Sequence, residues 1–363
     1  MNNHTTLPSL AIGDLSFKLP IIQGGMGVAV SAARLASAVS QEGALGVVAA
    51  VGASKFCSRS ELSYKEKSYW GLRKILQDTR ALTNRPIAVN IMFVLSDYDE
   101  LVRAAIDEHV EVIISGAGLP LHLPALTKNA PVKLIPIVSS MRAASIICRI
   151  WWKRYHRLPD AMIVEGAEAG GHLGFSLEEI SRHPSLGTIV SEVVNYLQTV
   201  TEKYGCRIPV IAAGGIFSGS DIVRFLNLGA EGVQMGTRFV CTHECDASPT
   251  YKEAYLKSRE EDIVIIKSPV GLPLRVIRNS FVTELLRSGK KPFSCPYHCL
   301  KSCVPAKSPY CIAQALSNAA SGNLAEGIIT CGVNAHRIEK IVSVHDLIAE
   351  LTAECRREMN SSQ

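Results

Sequence analysis

IPVIAAGGIFSGSDIVRFLNLGAEGVQMGTRFV, residues 208–240, is the stretch on which the fold turns. It opens on an unbroken apolar run, IPVIAAGGIF (208–217), that ends in Gly214-Gly215. Ser220 or Asp221 then starts the amphipathic segment DIVRFLNLGA, and Gly229 stops it. A second apolar run, EGVQMGTRFV (231–240), follows. Near-continuous apolar runs are what strands buried on both faces of a parallel sheet require. A polar residue before an amphipathic segment and a glycine after it are helix start and stop signals.

The same unit recurs back to Leu19. The other apolar runs are LPIIQGGM (19–26), LGVVAAVG (45–52), PIAVNIMF (86–93), VEVIISGAG (110–118), VKLIPIVSS (132–140) and AMIVEGAEAGG (161–171). Between them, Ser31 is expected to open SAARLASAVSQEG and Gly43 to close it. Asp97 is expected to open DYDELVRAAIDEHV, with Glu100 completing a capping box. Eight strand-like runs alternating with helices predict a (β/α)8 TIM barrel over residues 15–245. An open doubly wound sheet is the competing architecture, but its GxGxxG first turn is missing. The pattern changes after residue 240. Residues 246–311 read as an appendage with a cysteine-rich loop, and residues 312–363 as C-terminal helices packing back on the barrel.

Composition bounds the function. The 363 residues are 47% hydrophobic and 20% charged, ample for a full core. Lys plus Arg exceeds Asp plus Glu by 38 − 33 = 5, too small and scattered an excess to suggest nucleic acid. The N-terminus MNNHTTLPSL shows no export signal. The longest apolar stretch, Val132 to Trp152, is broken by Lys133, Ser139, Ser140, Arg142 and Arg149, which argues against a membrane span. A cytoplasmic protein is expected, its eleven cysteines reduced.

In such a barrel the chemistry lies at the C-terminal ends of the strands. Those ends carry Gln23-Gly24-Gly25-Met26, Asn90, Ser139-Ser140, Glu165 to His172, Gly214-Gly215 and Gln234-Met235-Gly236-Thr237. Gly214-Gly215 and Gly236-Thr237 follow strands seven and eight, where backbone N–H groups and the next helix's positive end suit a phosphate. Gly24-Gly25 and Gly170-Gly171 leave room for a flat ring, and Asn90 and Gln234 offer neutral donors and acceptors for its edge. Ring plus phosphate suggests flavin mononucleotide (FMN). His172, just after a glycine pair, suits a general base or proton donor; the plain alternative is a histidine capping the next helix.

IIQGGMG (21–27), the Asn90 strand end, EAGGHLG (168–174), IPVIAAGGI (208–216) and QMGTRF (234–239) together resemble the nitronate monooxygenase family, also called 2-nitropropane dioxygenases. This is a family of FMN-dependent barrel enzymes that includes enoyl-acyl carrier protein reductase II. The resemblance spans about residues 15–280. It implies that His172 is the base that takes the proton alpha to a nitro group. It further implies FMN contacts at Asn90, Gly170, Gly171, Gly214, Gly215 and Gln234, Met235, Gly236 and Thr237, with Gly25 and Met26 lying against the flavin. SPVGLPLRVIRNSF (268–281) resembles a family segment beyond the barrel, with Arg275, Arg278 and Asn279 as its polar residues. Glu165 departs from the glutamine found there in many nitronate monooxygenases. A carboxylate at that place disfavours a reduced, anionic flavin unless it is protonated or turned away.

CPYHCLKSCVPAKSPYC sets Cys295, Cys299, Cys303 and Cys311 at CX3CX3CX7C. The first three would share a helix face, but Pro296 and Pro305 favour a loop. Four thiolates there would suit an iron–sulfur cluster or zinc; a cysteine-rich basic loop without metal is the alternative. Lys290, Lys291, Lys301 and Lys307 are expected to lower the thiol pKa values.

The leading expectation is an FMN-dependent monooxygenase that oxidises alkyl nitronates, small-molecule substrates, with dioxygen. A second is an NAD(P)H-dependent enoyl-acyl carrier protein reductase, whose basic appendage would suit an acidic carrier protein or a nucleotide phosphate. A third, of another class, is a non-catalytic flavin or metal redox sensor.

Overall fold

The computed structural model describes residues 7–182, 185–295 and 297–361; the stretch MNNHTT and Pro296 lie outside it. All eight apolar runs form parallel strands: β1 (Ile21–Gln23), β2 (Gly46–Ala49), β3 (Ile87–Met92), β4 (Val112–Gly116), β5 (Lys133–Val138), β6 (Met162–Glu165), β7 (Val210–Ala213) and β8 (Gly232–Met235). They hydrogen-bond in sequence order from β2 to β8, and β8 pairs with β1. The ring closes where Gln23 N donates to Leu45 O at 2.9 Å and Leu45 N to Ile21 O at 3.0 Å. The result is a (β/α)8 barrel.

Two apolar layers explain why the strands read as continuous runs. Inward residues such as Ile22, Val47, Ala88, Ile114, Ile135, Ile163 and Ile211 fill the barrel. Outward residues such as Val48, Val89, Val164 and Val233 pack under the helices. The barrel's lower end is plugged by a hairpin of Leu10–Ile12 and Leu15–Phe17, whose Leu10, Ile12 and Phe17 join the inner cluster.

The helix starts differ from the sequence expectation in three places. Ser31 does not cap Ala33–Gln41, since its hydroxyl is taken by Gln23 and Met26 N. Asp246 instead accepts from the amides of Ala32, Arg34 and Leu35, a cap from more than two hundred residues away. Asp97 precedes Tyr98–Asp107 but makes no side-chain cap, and no capping box with Glu100 forms. Gly219–Asn227 is capped by Ser218 in a box with Asp221, two or three residues earlier than read from the sequence.

Beyond the barrel, the helix Pro249–Lys257 buries Tyr251 and Tyr255. A hairpin of Ile263–Lys267 and Pro273–Ile277 follows, and its second strand pairs antiparallel with the short strand Gly171–His172 and with Ile329–Thr330. The C-terminal helix Val344–Ser361 lays Leu347, Ile348, Leu351 and Cys355 into the core. It meets the Gly219–Asn227 helix, where Glu354 accepts from Gly219 N at 2.6 Å. Among the described residues no helix is long and apolar enough to cross a membrane.

Candidate active site

A cavity of about 530 Å³ opens at the C-terminal ends of the strands, within the range usual for small-molecule sites. Its wall holds every residue expected to act as base or to contact FMN: Gly25, Met26, Asn90, Gly170, Gly171, His172, Gly214, Gly215, Gln234, Met235, Gly236 and Thr237. A larger open groove of about 760 Å³ lies outside the barrel between helices. Among the described residues it includes no strand end, histidine or cysteine.

Register decides which side chains point inward. Ala213 belongs to the inner cluster and pairs with both Glu165 and Gln234. Asn90 pairs with inward Ile114. Residues in register share a face of the sheet, so Asn90, Glu165 and Gln234 cap the apolar barrel interior and line the cavity above it. Gln234 Oε1 is buried with no hydrogen-bond partner. An unpaired buried carbonyl costs about 1–3 kcal/mol, so this atom fits a site completed by a donor on a bound ring.

The glycines keep the site open. A Cβ on Gly25 would lie 2.4 Å from Asn90 Cβ, and one on Gly215 would lie 2.1 Å from a Glu168 carboxylate oxygen. Gly214 and Gly215 also have φ of 98° and 75°, where a side chain is strained. The following helix contributes less than expected. The amides of Phe217 and Ser218 donate to Asp221, and that of Gly219 to Glu354, so its positive end is already occupied by carboxylates. Residues 332–334 buttress the same corner: Gly332 N donates to Thr237 Oγ1 at 3.0 Å, and Asn334 Nδ2 to Gly215 O at 2.7 Å.

His172 sits on a two-residue strand held by the hairpin, opposite Leu274. Its Nε2 is 2.7 Å from Ser268 Oγ, a partner the strand-end reading missed. Ser268 comes from the hairpin turn, 96 residues on, within the segment already noted as SPVG. Ser268 Oγ also accepts from Val270 N at 3.2 Å. Burial pulls the imidazole down to about 4, so it is neutral near pH 7. Arg275 holds the loop before His172 by donating from Nη1 to Ala167 O at 2.7 Å and to Ala169 O. Arg278 is exposed, and Asn279 caps Ser280–Ser288. Burial pushes Glu165 up to about 7.

The cysteine-rich segment is elsewhere on the rim. It crosses the loop after β3, where Ser96 N donates to Cys299 O and Lys301 N to Val94 O, both at 3.0 Å. Apart from a single 3-10 turn at Pro305–Lys307, its described residues are irregular up to Cys311, which precedes the helix Ile312–Ala320. Cys295, Cys299, Cys303 and Cys311 are free thiols, and among the described residues no three His, Cys, Asp or Glu side chains form a group that would hold a metal ion. The metal-ligand expectation therefore gains no support among the described residues. The expected lowering of thiol pKa is corrected at two of them: burial and the neighbouring cysteines push Cys299 up to about 12, and burial raises Cys311. The lysines are engaged elsewhere, Lys290 at Ala306 O, Lys291 at Glu284 and Lys301 at Phe93 O.

The sequence profile of the nitronate monooxygenase family matches residues 9–104 and 93–354. The chain belongs to that family. It is an oxidoreductase of a flavin-dependent kind, which sets aside the non-catalytic sensor. The nitronate monooxygenase family relatives include a probable nitronate monooxygenase of Staphylococcus aureus, 30% identical over 75% of this chain and 78% of that one. A second relative is the (3aS,4S,5R,7aS)-5-hydroxy-7a-methyl-1-oxo-octahydro-1H-indene-4-carboxyl-CoA dehydrogenase of Mycobacterium tuberculosis. It is 33% identical over 75% of this chain, and the match spans 66% of that protein's length. Among solved structures, FabK from Thermotoga maritima superposes with a TM-score of 0.73 at 31% identity, covering 94% of each chain.

Proposed function

We propose that this protein is an FMN-dependent nitronate monooxygenase that oxidises small alkyl nitronates with dioxygen, with His172 as general base. The observation that carries this reading is a neutral imidazole, anchored to Ser268 at 2.7 Å, in the wall of the same cavity as Asn90, Gln234 and the glycine turns. The residues fit FMN. Gln234 Oε1 lacks a donor, Gly25 and Gly215 clear space, and the turns at Gly214-Gly215 and Gly236-Thr237 would meet the phosphate with backbone amides rather than with a helix end. Met26, Gly170, Gly171 and Met235 would complete the walls around it. FMN bound there supplies the two-electron acceptor.

The tautomer follows from the hydrogen bonds. A neutral imidazole has one lone pair. His172 can take a substrate proton only if Nε2–H donates to Ser268 Oγ and the Nδ1 lone pair is free. Ser268 would then fix the ring, and proton transfer to Nδ1 would leave an imidazolium that burial disfavours, so the proton would pass on readily. His172 is not needed for a nitronate that arrives already deprotonated.

A second reading has its own support. The Mycobacterium tuberculosis relative is named for a carboxyl-CoA substrate, and Glu165 places a titratable carboxyl in the cavity. NAD(P)H-dependent reduction of an enoyl thioester, carried by coenzyme A or an acyl carrier protein, is that alternative. Anaerobic mixing of the FMN-loaded protein with an alkyl nitronate, and separately with NADPH, tests both. Bleaching of the flavin by the nitronate alone supports the first reading, and bleaching by NADPH alone overturns it in favour of the second.

A further inference from the structure

The cavity floor contains one ionisable group that the base mechanism leaves unused. Glu165 ends β6, and its side chain continues the inward row of Ala161 and Ile163. Below it lies the apolar barrel interior. Beside it on β7 stands Ala213, too small to reach its carboxyl with a polar atom. No hydrogen bond or ion pair of Glu165 is present among the described residues. The other titratable groups of the cavity wall are Glu168 and His172 on the loop after β6, Glu179 on the helix Leu177–Ser181, Tyr255 on the helix Pro249–Lys257, and Cys331 after the strand Ile329–Thr330. Among the described residues no lysine or arginine lines the cavity. Arg275, whose charge reaches Glu168 and Cys331 from behind the wall, is committed to Ala167 O and Ala169 O.

We propose that Glu165 is the proton acceptor that accompanies reduction of the flavin, taking up one proton from solvent as the ring system gains negative charge. The proposal rests on the flavin reading above. Two electrons and one proton convert the oxidised ring to its reduced anion. Two electrons, two protons, the oxidised ring and the Glu165 carboxylate therefore give the reduced anion and the Glu165 carboxylic acid. Net charge is −1 on each side. The electrons come from the substrate in turnover and from dithionite in the test.

The physical reason is the cavity's lack of a cation. Two negative charges enclosed together in a low dielectric repel strongly, and one of the pair is then driven to take a proton. Burial alone already pushes Glu165 up to about 7 with no anionic ring present. A reduced, anionic ring above it raises that value further. Glu165 is thus a carboxylate above about pH 7 beside the oxidised ring and a neutral acid beside the reduced one. The carboxylate expected to oppose flavin reduction instead couples a second proton to it.

The measurement is the midpoint potential of the FMN-loaded protein against pH, from about pH 7 upward, by anaerobic dithionite titration with indicator dyes. One further proton per two electrons changes the equilibrium tenfold per pH unit, which for a two-electron couple is about 29.6 mV. Wild type should therefore fall about 30 mV per pH unit more steeply than Glu165→Gln, and Glu165→Asp should keep the steep slope. Parallel lines for wild type and Glu165→Gln overturn the proposal. Should Glu165→Gln not fold, wild type decides alone: a slope of about 59 mV per pH unit, twice the one-proton value, supports it, and about 30 overturns it. Wild-type protein that retains no flavin overturns both this inference and the flavin reading, whereas flavin bound with the shallow slope overturns this inference only.

Discussion

Gly170 and Gly171 stand side by side before His172, yet the structure requires glycine at each for a different reason, and their alanine variants should behave differently. At Gly171 the backbone has φ of 73°, and nothing lies within 4 Å of where a Cβ would stand. Gly171→Ala therefore costs only the left-handed conformation, about 1–2 kcal/mol. At Gly170 the conformation is ordinary, but a Cβ would lie 2.6 Å from the Cys331 carbonyl carbon, 2.7 Å from Gly332 N and 2.8 Å from Cys331 O. These are backbone atoms that cannot rotate away. Residues 331–333 would have to retreat by about half an ångström or more, an overpacking cost of about 1–3 kcal/mol. The same movement strains Gly332 N to Thr237 Oγ1 at 3.0 Å and Val333 N to Glu168 O at 3.3 Å, each worth about 1 kcal/mol. Gly170→Ala should then lose about 2–4 kcal/mol by urea denaturation and weaken FMN binding through Thr237. Gly171→Ala should lose less and keep FMN. Equal stability for wild type and Gly170→Ala, or a larger loss for Gly171→Ala, refutes the reasoning.

His172→Ala should retain FMN but slow turnover of a neutral nitroalkane by about 10²–10⁴-fold, with the anionic nitronate much less affected; equal losses on the two substrates in steady-state oxygen uptake would contradict the base role. Ser268→Ala should lower kcat on the neutral substrate about 5–10-fold, the worth of one orienting hydrogen bond, and leave the FMN dissociation constant unchanged in a fluorescence titration. The two buried titrating groups act oppositely on the flavin-free protein. His172, depressed to about 4 from 6.5, makes stability rise with pH between those values, because there the unfolded chain binds the extra proton. Glu165, raised from 4.5 to about 7, makes stability fall as pH rises across that window. Glu165→Gln should therefore match wild type near pH 4.5 and gain up to about 3 kcal/mol above pH 7, read from urea unfolding at several pH values.

The barrel was legible in the sequence because its physics is local and repetitive. A strand buried on both faces must be apolar throughout, and eight such runs separated by helical segments leave few other closed arrangements. The strand-end residues were legible for the same reason: once the runs are located, Asn90, Glu165, Gln234 and the glycine pairs fall at their C-terminal ends without further information. His172 needed only the glycine pair before it. The caps were less legible. Asp246 caps a helix that begins at Ala33, and no local pattern announces a partner so distant along the chain.

What tertiary structure alone decided lies beyond the eighth strand. The stretch 261–281 reads as mixed apolar and basic residues, and nothing in its spacing says that it folds back as a hairpin onto Gly171–His172. That pairing brings Ser268 to the imidazole and Arg275 to the carbonyls of the loop before it. The cysteines show the converse. Their spacing suits a metal, but ligation depends on where the chain turns: the loop's backbone pairs with Val94 and Ser96 at the barrel rim, and among the described residues the thiols form no metal-holding group. Short-range pattern determines elements and their ends because hydrophobic periodicity is local. The partners of a catalytic side chain and the state of a buried carboxyl are set by which distant segments pack around them, through long-range contacts and exclusion of water that no single segment encodes.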